Sequence, residues 1–371
     1  MSILLGKCKV CKKVSPLISS NLGVCLECIR KRPEEALRVT DEVHAFTRKE
    51  YALPPKPPKK GISCSICSND CRIPEGEKGY CGLVYNKEGQ LYRIGGTHEK
   101  GLLEWYYDPL PTNCVAEWFC PGCTGAGYPK YAYRCSAEYG YSNLAVFYGA
   151  CSFDCLFCQN WHYKSLTFKG NPIVSSQYLA SQVRANVSCI CYFGGDPSVQ
   201  MPHALKTCQI VLERAKVTGR ILRVCWETNG YWKREFALQA TKISLESGGI
   251  IKVDLKSWDE NLNKAFCGVS NTPTLIVFKE IGKFFRERPE LPVLTASTLL
   301  VPGYVDVEEV RNLAKFISEI DPRIPYSLLA FCPQYILTDL LTTSKEHAFN
   351  CYEVAKKYLE NVKIENIQLL S

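Results

Sequence analysis

Three cysteines, Cys151, Cys155 and Cys158, lie in the run Cys-Ser-Phe-Asp-Cys-Leu-Phe-Cys. Spacings of three and then two intervening residues let one short loop offer three thiolates to an iron–sulfur cluster, whose full protein ligation takes four. A cluster held at three corners keeps one iron open to another ligand. CxxC pairs also serve zinc, and a chain with 22 cysteines offers such pairs by chance. What surrounds the loop therefore decides its reading.

The elements around it alternate. From residue 144 onward, short β-branched or apolar runs are followed by longer amphipathic stretches. Strands are predicted at Asn143–Tyr148, Ser188–Phe193, Ile221–Glu227, Gly249–Leu255, Pro292–Val301 and Tyr326–Phe331. Helices are predicted at Ser175–Ala185, Met201–Lys216, Tyr231–Glu246, Pro273–Arg286, Val307–Ile320 and Lys345–Leu359. Six βα units in a row imply an α/β fold with a parallel sheet and helices outside it. Runs such as Ile-Ile-Lys-Val-Asp-Leu agree with strands buried on both faces. The pattern predicts a partial, open (β/α)6 barrel, with a doubly wound sheet as the runner-up.

In such a fold, chemistry sits on the loops that follow the C-terminal strand ends. The first strand is followed by the cysteine loop and the second by Gly194-Gly195-Asp196-Pro197. Glu227-Thr228-Asn229-Gly230 follows the third, and Asp254-Leu255-Lys256 the fourth. The fifth ends in Val301-Pro302-Gly303-Tyr304.

In that order and rough spacing, these motifs resemble the radical S-adenosylmethionine (SAM) superfamily. Within it they resemble the activating-enzyme branch, which includes the activases of pyruvate formate-lyase and its AmmeMemoRadiSam-type archaeal relatives. The resemblance covers about residues 60–365. It implies a 4Fe-4S cluster on Cys151, Cys155 and Cys158, with SAM on the open iron. It further implies reductive cleavage of SAM to a 5′-deoxyadenosyl radical that abstracts hydrogen from a substrate. Gly194, Gly195 and Asp196 are then expected at the methionine ammonium, because glycines let backbone carbonyls come close. Glu227, Thr228 and Asn229 are expected at the carboxylate and ribose, and Phe157 and Val301 near the adenine. Asp254 and Lys256 share a strand face and are expected to pair with each other or with SAM. By analogy the substrate is a protein, with a small molecule close behind. The reductant is a ferredoxin or flavodoxin.

Three departures weaken a direct match to a glycyl-radical activase. The acid after Gly-Gly is Asp196 where glutamate is common. Ser327 stands where some relatives place a histidine. The additional cysteines precede the cluster loop.

Those additional cysteines form three groups. Cys8, Cys11, Cys25 and Cys28 are paired knuckles, matching a zinc ribbon. Cys64, Cys67, Cys71 and Cys81 read as zinc or an auxiliary cluster. Cys114, Cys120, Cys123 and Cys135 have irregular spacing and read as a cluster, a zinc site or simple burial. Cys189, Cys191, Cys208, Cys225, Cys267, Cys332 and Cys351 lack paired spacing and are expected to behave as small apolar groups. Cys267 and Cys332 lie near strand or loop ends, where a hydrogen-donor role is conceivable. His162, after the cluster loop, is expected at the surface or behind the ligands.

Residues 1–60 hold 13 Lys and Arg against 6 Asp and Glu; the remainder is nearly balanced. The run Leu53-Pro-Pro-Lys-Pro-Pro-Lys-Lys60 reads as a stiff linker. The expected divisions are a zinc ribbon-like unit (1–30), a helix and linker (31–60), a cysteine-rich extension (61–140) and the barrel (141–365). No apolar run reaches bilayer length, and the start is too short in its apolar part for a secretory signal, so a cytoplasmic location is expected. The competing class is a non-enzymatic zinc or iron–sulfur module for nucleic-acid binding or electron transfer. The lack of aromatic–basic interleaving in residues 1–60 speaks against nucleic acid.

Overall fold

A nine-stranded sheet organises the computed structural model, which describes residues 5–371. Its strands are β1 (Lys100–Pro109), β2 (Ser142–Tyr148), β3 (Ile173–Ser175), β4 (Val187–Gly194), β5 (Arg223–Thr228), β6 (Ile251–Asp254), β7 (Leu294–Leu300), β8 (Tyr326–Ala330) and β9 (Val362–Glu365). They lie in the order β9-β8-β7-β6-β5-β4-β2-β1-β3. Seven are parallel; β1 runs antiparallel to β2 and β3 antiparallel to β1. The parallel strands follow one another in chain order with no reversal, as in a barrel and unlike a doubly wound sheet, and the sheet does not close.

The parallel strands form where apolar runs are buried on both faces. Every residue of β2 is buried, which is what a sheet with helices outside requires. Helix starts are fixed by short acceptor side chains that satisfy a free backbone N–H. Asp259 caps Glu260–Cys267 by accepting from Leu262 N at 2.8 Å, and Asp306 caps Val307–Ser318 by accepting from Glu309 N at 3.0 Å.

Several elements differ from the sequence expectation. The helix expected from Tyr231 begins at Arg234, because Tyr231 and Trp232 are buried in the core. The helix expected over Pro273–Arg286 ends at Gly282, and that over Ser175–Ala185 ends at Ser181. The strands β1, β3 and β9 and the helix Glu260–Cys267 were not anticipated.

The N-terminal residues share the barrel's core. Helices α1 (Leu26–Lys31) and α2 (Pro33–Lys49) contribute Ile29 and Ala36 to the same apolar cluster that contains the barrel strands. Arg30 pairs with Asp306 and Glu309, and Ser19 hydrogen-bonds Asp339. The Pro/Lys run does not hold these parts away from the barrel: Leu53 is buried and Lys59 bridges to Arg72. Among the described residues no helix is long and apolar enough to cross a membrane.

Candidate active site at the C-terminal strand ends

A cleft of about 930 Å³, including its open mouth, lies at the C-terminal ends of the parallel strands. Cys151, Cys155 and Cys158 line one wall. Phe157, Gly194, Gly195, Asp196, Glu227, Thr228, Asn229, Asp254 and Lys256 line the rest, together with Tyr163, Ser297, Leu299, Leu329 and Asn366. Val301 is absent from the wall: it is fully buried beyond the end of β7, and Leu299 from the inner face of that strand lines the cleft instead.

The Gly-Gly turn owes its glycines first to the chain itself. A Cβ on Gly195 would sit 2.0 Å from the Ala150 carbonyl oxygen, and one on Gly194 would sit 2.6 Å from Tyr148 N. Gly194 also has φ +107°, which side chains disfavour. Gly195 N donates to Tyr148 O at 2.7 Å and Asp196 N to Ala150 O at 3.0 Å. The turn is thereby pressed onto the strand end that launches the cysteine loop.

Asp196 ties neighbouring loops together. Its buried carboxylate accepts from Ser198 N at 2.7 Å, Thr228 Oγ1 at 3.1 Å and Asn229 N at 2.6 Å. Burial pushes this carboxyl up to about 6, against the lowering effect of those donors. The Asn229 amide then donates to Ser152 Oγ at 2.9 Å and reaches Cys151 Sγ at 3.6 Å. A continuous polar chain thus links the Gly-Gly-Asp turn, the Thr-Asn turn and the first cysteine.

On the opposite wall, Lys256 Nζ lies 2.7 Å from Asp254, whose other oxygen accepts from the Ser297 hydroxyl. Glu227 pairs with Lys252 at 2.7 Å. Phe157 is buried, with its ring edge-on to Phe266 at 5.2 Å. The Cys267 sulfur is 3.5 Å from that of Cys155, yet Cys267 is fully buried and outside the cleft lining. His162 is exposed and stacks on Phe147 at 4.4 Å. Cys332 is half-buried and also outside the lining.

The cysteine loop is held from below by Asp154, which is fully buried. Its carboxylate meets His44 Nδ1 at 2.7 Å, the Lys164 ammonium, and Arg48 Nη1 at 3.6 Å. Burial raises this carboxyl, but the three basic groups outweigh it and hold it well below the usual range. Sequence reasoning missed this cluster because His44 and Arg48 stand over 100 residues away in α2. Ser297 and Leu299 were legible by another route: they alternate on β7, where Asp254 lies in register with Ser297.

Away from the cleft, Cys8, Cys11, Cys25 and Cys28 have sulfurs all within 4.8 Å of one another. Two of the separations are 3.8 Å and 3.7 Å. Cys64, Cys67, Cys71 and Cys81 surround one small cavity with Arg93, whose Nη1 lies 3.6 Å from Cys64. The third group is dispersed: Cys114 and Cys120 line a cavity inside the barrel, whereas Cys123, half-buried, and Cys135, exposed, do not line it.

Residues 145–317 match the model of the radical SAM superfamily. Over that stretch the chain is similar to radical SAM domains. A provisionally named glycyl-radical enzyme activating enzyme of Methanocaldococcus jannaschii is 27% identical over 217 residues, covering 57% of this chain and 76% of the relative. An uncharacterised protein of the same archaeon is 25% identical over 293 residues, covering 77% and 75%. A solved domain of a pyruvate-formate lyase-activating enzyme from Bacteroides vulgatus overlaps with a TM-score of 0.37 and 21% identity, covering 47% of this chain and 98% of that one.

A radical SAM domain implies a 4Fe-4S cluster and SAM as cofactors. The donor set fits both. Three thiols on one wall match a cluster that keeps a free corner. The facing wall offers carboxylates, a threonine, an asparagine and a lysine to a zwitterionic, polyhydroxylated cofactor.

Proposed function

We propose that this chain is a radical SAM enzyme that reductively cleaves SAM and abstracts hydrogen from a protein substrate, in the manner of an activase. The convergence of the three-cysteine loop with the Gly-Gly-Asp and Glu-Thr-Asn turns on one open cleft carries the reading. When bound, the cluster supplies one electron to the SAM sulfonium. The chain's own residues do the rest. Cys151, Cys155 and Cys158 anchor the cluster. Asp196 and the turn at Gly194 and Gly195 attract and seat the ammonium. Glu227, Thr228 and Asn229 offer partners to the carboxylate and ribose, Asp254 and Lys256 close the opposite wall, and Phe157 with Leu299 bounds the apolar side.

The protein substrate rests on the activase-named relative and on an open sheet whose cleft reaches the surface, as a loop of another protein would require. A ferredoxin or flavodoxin would deliver the electron. The ribbon cysteines suit zinc: a tetrahedron with bonds of about 2.3 Å has an edge of about 3.8 Å, as the 3.8 Å and 3.7 Å separations have. The ring of Cys64, Cys67, Cys71 and Cys81 is assigned to zinc or an auxiliary cluster.

Anaerobic reduction of the reconstituted protein with SAM tests the proposal. 5′-Deoxyadenosine is expected from the wild type and none from the Cys151→Ala/Cys155→Ala/Cys158→Ala variant. An intact cluster without that product would refute it.

A further inference from the structure

A second chamber lies inside the sheet, along the strand direction from the cleft. Cys189, Cys191 and Phe193 alternate on one face of β4. Cys191 is in register with Cys225 of β5, and Glu227 with Lys252 of β6. Register partners on adjacent strands are about 4.8 Å apart, and residues two apart on one strand about 6.6 Å. The three strand thiols therefore form a triangle on a single sheet face. Cys114 and Cys120, from the loop between β1 and β2, line the same chamber.

One cation stands among the sulfurs. Lys252 Nζ is 3.2 Å from Cys114 and 3.3 Å from Cys191, which bounds the separation of those two sulfurs at the sum, 6.5 Å. Arg223 also borders the chamber, but its guanidinium is committed to Glu138, Ser188 and the Tyr131 carbonyl.

We propose that this chamber is a second iron–sulfur site, held by up to four thiolates drawn from Cys189, Cys191 and Cys225 on the sheet and Cys114 and Cys120 on the facing loop. A core cysteine serves as a small apolar filler and needs no other thiol; Cys208, for example, meets the Tyr192 hydroxyl in helix–sheet packing. Five thiols brought by two strands and a loop to one cavity serve a different end. Their sulfurs are spread around its wall and do not close within 4.8 Å as the ribbon sulfurs do. A polynuclear cluster suits that spread, whereas a single ion needs the tighter set. Buried thiolates require compensating charge, and Lys252, which also pairs with Glu227 at 2.7 Å, contributes to it. Phe193 and Glu227 line both this chamber and the cleft. The bound group would stand one side chain from the place where SAM is proposed to react.

The test compares full-length protein, reconstituted anaerobically with ferrous iron and sulfide, against two double variants. One is Cys191→Ser with Cys225→Ser on the sheet; the other is Cys114→Ser with Cys120→Ser on the loop, a pair that spares the sheet's packing. Cys351→Ser is the buried-thiol control. Each double variant is expected to lose about two to four irons, and as many sulfides, per chain; the control loses none. An electron paramagnetic resonance signal that changes on adding SAM is expected to persist in the loop variant. Its persistence separates loss of this site from failure of the radical SAM assignment. Unchanged iron and sulfide in the loop variant would overturn the proposal, as would the loss of one zinc with no sulfide.

Discussion

At the scale of single residues, the cleft is built by groups that serve the chain and the cofactor together. Asp196 was legible as an acid beside a glycine turn, but its three internal donors were not. Its raised folded-state pKa has two consequences. The folded state holds the proton more tightly than the unfolded one, so this residue's contribution to stability falls as pH rises from about 4 through about 6, by about 3 kcal/mol in all. Cofactor binding runs the other way, because only the ionised form attracts an ammonium. Anaerobic calorimetry should therefore find SAM binding about tenfold weaker at pH 5 than at pH 8 in the wild type. Asp196→Asn should bind weakly with little pH dependence; an equal slope in the variant would assign the titration elsewhere. Cys267 was read as a filler or a hydrogen donor to substrate, yet its thiol reaches Cys155. Hydrogen bonds to cluster sulfurs favour the more negative, reduced state. Cys267→Ala should thus lower the cluster's reduction potential, and Cys267→Ser should restore part of it. A redox titration followed by electron paramagnetic resonance measures both.

At the scale of elements, the parallel strands and the helices Met201–Val217 and Val307–Ser318 were readable because burial imposes a pattern on their sequence. β1 lies in the stretch read as a cysteine-rich extension, although it holds no cysteine itself and its Trp105, Tyr106 and Tyr107 are good strand formers. The support that α2 gives the cysteine loop was hidden for a different reason: no local pattern reports a partner that is distant in the chain. Asp154 makes that support testable. Removing it leaves His44, Arg48 and Lys164 buried without their shared carboxylate, a change of the kind that costs about 3–5 kcal/mol. Asp154→Ala should show that loss in denaturant unfolding, together with reduced iron per chain after reconstitution. Because the folded-state pKa is depressed, the carboxylate's stabilisation is complete above the ordinary carboxylate range. It drains away as pH falls below about 4. The wild type should therefore lose stability steeply in acid, and the alanine variant should lack that part of the slope.

At the scale of the whole molecule, the Pro/Lys run reads as a stiff linker, but composition reports a linker's stiffness and not what its flanks bury. The N-terminal segment is fastened at several places, the Ser19–Asp339 hydrogen bond among them. Arg30 engages Asp306 and Glu309 at the start of Val307–Ser318. The Tyr304 hydroxyl donates to Val24 O at 2.8 Å and accepts from Ser19 N at 3.0 Å, joining the ribbon to the loop after β7. His44 and Arg48 engage Asp154 beneath the cysteine loop. Part of the segment's positive charge is spent internally: Arg48 is buried, and Arg30, Lys31, Arg32 and Lys56 each pair with an acid. A ribbon that exists to dock an acidic partner would leave those cations free and could be removed without harming the barrel. A ribbon that completes the barrel could not. Deleting residues 1–60 should therefore yield a chain that unfolds more readily, takes up less iron and forms little 5′-deoxyadenosine even with a chemical reductant that needs no docking partner. Cys11→Ser, which strikes an exposed ligand of the proposed zinc, should reproduce a milder version, with zinc lost and the melting temperature lowered by several degrees, about 2–4 °C for each kcal/mol. A truncated chain that keeps its full cluster and its turnover with the chemical reductant would return the segment to the role of a detachable docking module.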